Sequence, residues 1–292
     1  MPSGYSSTAA GGALTQEETA ALLVEPLLAE AVVLAAGPQI FKTNGVPLRI
    51  PKINSLELTD PWRAENVQIA EVDPVYGELE LLPSSLKSLK ILHRISNELA
   101  RHSVGNIAAL LSNALTRRVA LALDKAFLVG DGASNTVRGL AASTGIQVMA
   151  GVGQPSVDDL HDAVGAALGA DARPSSWFMH PRDFTSLRKV KDTSGSYIVA
   201  PDPTAPAAYQ LLGIPVRLST QIPANTGAGS NESRIVLADM SQVAVGIDED
   251  VSVTVLSERY ADFDQVALRV VARLDVGVLN GPGVVLLSGI TA

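Results

Sequence analysis

Residues 46–95 constrain the fold more than any other part of the chain, because they form a long extended stretch with little apolar surface to bury. Apolar and polar residues alternate near both ends of the stretch, and its polar middle, residues 59–66, contains the turn signal Asp60-Pro61. This pattern predicts a long β-hairpin. A two-stranded hairpin with so few large apolar residues is not stable alone, so we expect it to lie on another surface, which identical subunits can supply.

A long helix is the strongest local signal. Apolar residues recur at helical spacing through residues 97–129, and Gly130 ends the pattern. Leu111, Leu115 and Val119 fall on one apolar face of this helix. We therefore expect these three side chains to belong to the core.

The rest of the chain consists of an arm followed by short helices and strands. Residues 1–15 are rich in Ser, Gly and Ala and predict a flexible arm, and residues 16–34 have a helical spacing that Pro26 interrupts. From Val157 onward the patterns predict helices at 157–168 and 182–190, and strands at 176–179, 211–216, 235–238, 243–256, 266–274 and 283–287. The predicted fold class is α+β, with a hairpin and an arm that project from the body.

Composition excludes several classes of function. The net charge is −8, from 22 Lys+Arg against 30 Asp+Glu, which argues against a basic nucleic-acid-binding domain. The chain has no cysteine, so it has no disulfide, thiolate zinc site, iron–sulfur cluster or cysteine nucleophile. Its N-terminus lacks the charged and apolar regions of a signal peptide, and no stretch is apolar enough to span a membrane. We expect no membrane among its partners.

No group of residues has the pattern of a catalytic or metal site. The four histidines are not paired at ligand spacing, which favours structural or surface roles for His93, His102, His161 and His180. Asp248-Glu249-Asp250 lacks the alternating ligands of a calcium loop and is interpreted as a solvated turn between strands. P-loop, dinucleotide-binding and GxSxG patterns are absent. We therefore expect neither an enzyme nor a cofactor, and the remote alternative is a soluble α+β enzyme whose site these patterns do not reveal.

Short motifs in a fixed order give the chain a family resemblance. They are DPWRAE at 60–65, ISNEL at 95–99, FLVGDG at 127–132, VRGL at 137–140, WFMHP at 177–181, KD at 191–192, GSY at 195–197, LGIPV at 212–216, IVLADMS at 235–241, and the set Asp264, Gln265, Arg269, Arg273 and Asp275. In this order they resemble the phage capsid family of tailed bacteriophages, whose Hong-Kong-97-type fold encapsulin shells also use. Asp60, Val137 and Ala238 stand where the family more often has Ala, Pro and Gly.

The resemblance implies a division of the chain into an arm, a hairpin and two domains. These are an N-terminal arm with a short helix (1–44), an extended hairpin called the E-loop (45–92), a peripheral domain made of a long spine helix (93–142) and strands (243–275), and an axial domain (143–242) with a closing strand (276–292). Four residues near the E-loop tip would contact neighbouring subunits: Asp60, Trp62, Arg63 and Glu65.

The resemblance also implies a function. The chain would be a major capsid protein whose pentamers and hexamers form the icosahedral shell of a tailed phage, assembled in the host cytoplasm and found in the virion. Its partners would be copies of itself, a portal, and double-stranded DNA that is enclosed without specific binding. Because few residues precede the first E-loop strand, we expect scaffolding to come from a separate protein. The alternative within the fold is an encapsulin-type nanocompartment that holds a cargo enzyme.

Some members of this family link their subunits covalently through a lysine near the E-loop tip. Residues 53–86 contain no lysine. Arg63 is the only basic residue near the tip, and its guanidinium stays protonated and cannot act as the nucleophile. We therefore expect a shell without covalent links between subunits.

Overall fold

The computed structural model describes residues 31–43, 46–55, 62, 66, 75–82, 88–96, 98, 107–133, 136–192, 194–197, 209–227, 229–256 and 258–291. In chain order these residues form β1 (Gln39–Lys42), β2 (Leu48–Ser55), β3 (Val75–Leu81), β4 (Leu89–Ser96), α1 (Ile107–Val129), β5 (Gln147–Met149), α2 (Val157–Gly169) and β6 (Ser176–Met179). The chain continues with α3 (Pro181–Arg188), β7 (Gln210–Leu211), β8 (Ile214–Leu218), β9 (Glu232–Ala238), β10 (Val243–Leu256), β11 (Gln265–Val278) and β12 (Val284–Thr291).

The larger sheet has six strands in the order β5-β12-β9-β6-β8-β7. Successive side chains of a strand point to opposite faces of its sheet, and β6 follows this rule. Trp177 and Met179 pack with the apolar sides of α2 and α3, whereas Phe178 belongs to a second cluster that includes side chains of α1. All three are fully buried. This sheet therefore has a core on each face.

The two short helices on the larger sheet begin at well-formed caps. At the start of α2, the Ser156 hydroxyl accepts from the Asp159 N–H while the Asp159 carboxylate accepts from the Ser156 N–H, which is a capping box. At the start of α3, His180 Nδ1 accepts from the Arg182 N–H at 3.1 Å, and Pro181 occupies the first turn. His180 thus has the structural role that its isolation in the sequence predicts.

The smaller sheet has four strands in the order β1-β10-β11-β4, and α1 packs on one of its faces. β1 runs parallel to β10, and the other two pairings are antiparallel. Buried side chains of β10 and β11, among them Val245, Val270 and Ala272, form one cluster with Val119 and Phe127 of α1. The core of this part of the molecule therefore lies between the helix and the sheet.

The acidic run at 248–250 lies inside β10, so the prediction of a solvated turn between strands is wrong. The pairing of β10 with β11 shifts register between Ile247 and Glu249 and again between Glu249 and Ser252. A β-bulge of this kind lets one strand carry extra residues without ending. Asp248 is held there by an ion pair with Arg273, whose Nη1 lies 3.5 Å from its Oδ2.

The predicted hairpin is present as the antiparallel pair β2–β3, in which Leu48 lies opposite Leu81 and Ser55 opposite Val75. The extended stretch of the sequence is not one hairpin throughout, because β4 pairs with β11 in the smaller sheet. Of the residues that join β2 to β3, only Trp62 and Asn66 are described.

Two glycines, Gly130 and Gly139, let the chain that follows α1 pass close to the end of the helix. Gly139 N–H donates to Gly130 O at 2.9 Å, so the chain crosses closely over the end of the helix. A Cβ at Gly139 would lie 2.7 Å from the carbonyl oxygen of Ala126 and 2.8 Å from the backbone N of Gly130. The crossing therefore requires glycine at position 139.

The α+β class is confirmed, and α1 covers most of the long helix that the sequence predicts. The start of that predicted helix, the arm and nearly all of the first predicted helix lie outside the described residues. Among the residues that are described, no helix combines the length and the apolar character needed to cross a membrane.

Candidate assembly surfaces

The hairpin is seated on the smaller sheet through three leucines and two glycines. A Cβ at Gly277 of β11 would lie 2.7 Å from Leu81 Cδ2 and 3.0 Å from both terminal methyls of Leu79, and a Cβ at Gly246 of β10 would lie 3.3 Å from Leu82 Cδ1. Leu81 and Leu82 are almost completely buried. The glycines thus leave a shallow seat that the leucines at the base of the hairpin fill.

A hydrogen bond fixes the direction in which the chain leaves this seat. Leu82 has a left-handed backbone, with φ of 54°, and its N–H donates to Asp275 Oδ2 at 2.9 Å. The other carboxylate oxygen of Asp275 accepts from the Val276 N–H at 2.9 Å. Asp275 therefore holds the base of the hairpin onto β11 by a polar contact beside the apolar one.

Away from the seat, the hairpin exposes large aromatic side chains. Trp62 is 88% exposed and Tyr76 is 72% exposed. Asp60, Arg63 and Glu65, the other residues predicted at the tip, lie outside the described residues. Exposed aromatic groups of this size are typical of surfaces that contact a partner.

The side of the smaller sheet that faces away from α1 is basic along β4 and β11. Residues directly opposite each other in neighbouring strands share a face of the sheet. In the pairing of β4 with β11, the opposite residues are Leu92 and Arg269, Lys90 and Val271, and Arg94 and Ala267. Lys90, Arg94 and Arg269 are all exposed. We call these three residues the basic sheet face. The glycine seat of the hairpin, Gly277, lies on the same side of β11.

The predicted core of the helix is partly described. Leu115 is 7% exposed and Val119 is fully buried, and both belong to the cluster between α1 and the smaller sheet. Leu111 lies within α1, but its side chain is outside the described part of the chain. Asp124 is a buried polar residue of the same helix that the spacing argument missed.

Asp124 ties α1 to the segment that precedes β1. The N–H groups of Val32 and Val33 each donate to one of its carboxylate oxygens at 3.1 Å. The pKa of Asp124 is raised from 3.8 to about 6. Burial causes this rise, and the two hydrogen bonds oppose it by lowering the pKa. The sequence contains a signal that could have identified Asp124 as buried. It is an acidic residue at core spacing, four residues after Ala120 and three before Phe127.

The described residues contain no group of three or more His, Asp or Glu side chains that could hold a metal ion. His93 and His161 are exposed, and His102 lies outside the described residues. The most buried polar pair, Asp183 and Ser233, is a structural contact in which the hydroxyl donates to the carboxylate at 2.5 Å.

The sequence profile of the phage capsid family matches residues 11–289. The chain belongs to the phage capsid family. Its role is accordingly structural, that of a protein that forms a shell.

A similar protein and two solved structures each cover at least 90% of this chain. The major capsid protein of Klebsiella oxytoca phage phiKO2 is 25% identical over 97% of this chain and 70% of that protein. The capsid of an empty GTA particle has a TM-score of 0.71 at 19% identity, over 90% of each chain. A structure from Mycobacterium phage Adephagia has a TM-score of 0.68 at 17% identity, over 100% of this chain and 95% of that one. The Hong-Kong-97-type capsid fold is thereby confirmed.

Proposed function

We propose that the chain is the major capsid protein of a tailed phage, and that its pentamers and hexamers close into an icosahedral shell around double-stranded DNA. The observation that carries the proposal is the family match over residues 11–289, supported by a relative named a major capsid protein. The shell would assemble in the host cytoplasm and become part of the virion, with a portal and a separate scaffolding protein as partners. Its strength would come from many modest interfaces, so no catalytic step is needed.

The two sheets suggest how the chain divides within such a shell. The smaller sheet and α1 would form the peripheral domain, with α1 as the spine helix. The larger sheet, with α2 and α3, would form the axial domain that points toward the five-fold or six-fold axis. The β2–β3 hairpin would be the E-loop, and residues 1–44 the arm. Because β4 pairs with β11, we assign β4 to the peripheral domain.

Charge supports a specific contact for the E-loop. Residues 56–74, which join β2 to β3, contain five acidic residues and one basic residue. Glu78 and Glu80 of β3 are exposed as well, and they share Arg49 of β2 as a partner at 3.9–4.0 Å. We assign the basic sheet face of a second copy as the surface that this acidic hairpin covers, with Trp62 and Tyr76 supplying apolar contact. The charges that a single copy leaves exposed would then be paired across the subunit boundary.

Electron microscopy of the purified chain tests the assembly. Closed shells or five- and six-membered capsomers are the expected result. A preparation that contains only separate molecules of 30.4 kDa at every concentration would contradict the proposal. Double-stranded DNA inside natively isolated particles would agree with a virus, whereas a cargo enzyme in its place would identify a nanocompartment.

A denaturing gel of boiled particles tests how the subunits are held. Because no lysine lies between residues 53 and 86, we expect one band near 30.4 kDa. The same particles before boiling provide the control, since they should migrate as intact assemblies. A ladder of covalent pentamers and hexamers after boiling would show that another lysine, such as Lys52 or Lys87, forms a link.

A further inference from the structure

The side of α1 that faces away from the smaller sheet carries a cluster of exposed cations. Arg117, Arg118 and Lys125 are exposed, as is Ala114 one turn before Arg118. Asp124 is the only acidic residue between Ile107 and Val129, and it is 1% exposed. Among the residues that the structure describes, none of the three cations takes part in an ion pair. We call Arg117, Arg118 and Lys125 the basic helix face.

The spacing of these cations suits an extended polyanion better than a single carboxylate. Arg118 and Lys125 are seven residues apart and therefore project within about 20° of each other around the helix axis. At about 1.5 Å per residue, the positions of Arg117 and Lys125 are separated by roughly 12 Å along that axis. Arg117 projects about 100° from Arg118, at the flank of the same face. Double-stranded DNA carries one charge per roughly 1.7 Å of its length, so a duplex along the helix can contact Arg118 and Lys125 directly and lie within reach of the long Arg117 side chain.

The two sides of this part of the molecule differ in charge. The hairpin leaves from the sheet side, where Leu81 is seated on Gly277, and its joining segment 56–74 has a net charge of −4, from five acidic residues and one basic residue. If the hairpins of neighbours cover the basic sheet face, that wall of the shell becomes acidic and repels DNA. The basic helix face belongs to the opposite wall and stays uncovered by the hairpins.

We propose that the shell turns the basic helix face toward its contents, where Arg117, Arg118 and Lys125 contact the phosphates of packaged double-stranded DNA without reading its sequence. The inference rests on the proposed shell function. Each subunit makes three such contacts, and the net charge of the chain is −8. The attraction between one subunit and DNA is therefore weak and sensitive to salt. DNA would thus be held against the wall and still move along it.

The test uses shells assembled in the presence of a short fluorescent duplex and then treated with nuclease. It compares the parent with Arg117→Gln/Arg118→Gln/Lys125→Gln, since glutamine removes the charges and keeps helix propensity. The matched control, Arg173→Gln/Lys189→Gln/Lys191→Gln, removes three exposed charges near α3 and the larger sheet. Protected duplex per shell is measured over a series of salt concentrations.

The parent and the control should retain protected duplex with the same salt dependence. The helix-face variant should form shells that retain less duplex, with a salt slope that is smaller by about one for each phosphate contact that the substitutions remove. Equal reduction in both triple variants, or duplex that nuclease removes from the parent, would overturn the inference. Folded helix-face capsomers that fail to close would overturn it too, because the cations would then contact an acidic segment of a second copy. Failure of the parent to form shells would instead contradict the proposed function.

Discussion

The larger sheet and the hairpin make opposite use of their aromatic residues. Trp177 of β6 is fully buried between the sheet and its two helices, whereas Trp62 of the hairpin segment is 88% exposed. The larger sheet completes its core within one chain, with apolar side chains on both faces. Among the described residues of the hairpin, only the leucines at its base, Leu81 and Leu82, are buried. The larger sheet thus supports folding, and we propose that the hairpin supports assembly.

The largest expected effect is on folding stability, when each of the two tryptophans is replaced separately by alanine. Trp177→Ala should lower the free energy of unfolding by about 3–5 kcal/mol, because it opens a cavity in a fully packed core. Trp62→Ala should change it by less than about 0.5 kcal/mol but reduce the yield of closed shells. Urea unfolding of unassembled subunits and particle counts by microscopy measure the two effects. Trp62→Ala shells in normal yield would show that the exposed tryptophan is not an assembly contact.

Two glycines, one beneath the hairpin and one within α2, should respond to substitution in opposite ways. Gly277→Ala should cost about 1–3 kcal/mol and displace the hairpin, because Leu79 and Leu81 occupy the space of the new methyl group. Gly165→Ala, in the interior of α2 with no atom within 4 Å of the new Cβ, should instead stabilise the chain by up to about 1 kcal/mol. Thermal unfolding of both variants measures the two changes in stability, which should have opposite signs. A stabilising Gly277→Ala would show that the leucines do not fill a seat at this glycine.

Asp124 gives a smaller effect with a defined pH dependence. Its pKa is about 6 in the folded chain, against 3.8 in the unfolded one, so the folded state binds the proton more tightly. Stability from this group is therefore fully present below about pH 3.8 and is lost as the pH rises through 6. Between about pH 5 and pH 8, this carboxyl should lower the free energy of unfolding by about 1.4 kcal/mol.

Unfolding of the parent and of Asp124→Asn at both pH values measures this contribution. The variant should lack that part of the pH dependence. It should also be less stable than the parent at low pH, because the amide NH2 replaces one of the two oxygens that accept from Val32 and Val33, and an NH2 group cannot accept. Parallel stability curves for parent and variant would show that Asp124 does not titrate in this window.

Local patterns predict the parts of the fold whose signals are themselves local. β6 and β10 have the predicted bounds, and α3 begins one residue earlier than predicted because Pro181 already occupies its first turn. The seat of the hairpin could not be found in this way, since it joins Leu81 to a glycine nearly two hundred residues later in the chain. The bulge in β10 was missed because an acidic run has the composition of a turn whether or not the strand continues. Assembly surfaces are harder still to predict, because their partners lie on other copies of the chain.

We propose that the hairpin of one copy covers the basic sheet face of another. The absence of cysteine from the chain allows a direct measurement, because two introduced thiols are the only ones present. Shells of the variant Glu78→Cys/Arg269→Cys are treated with a flexible bismaleimide and run on a denaturing gel. The control is the variant Glu78→Cys/Arg118→Cys, which places the second thiol on the helix side. We expect covalent oligomers up to pentamers and hexamers for the sheet-side pair and separate chains for the helix-side pair. Oligomers from the helix-side pair, with separate chains from the sheet-side pair, would contradict it.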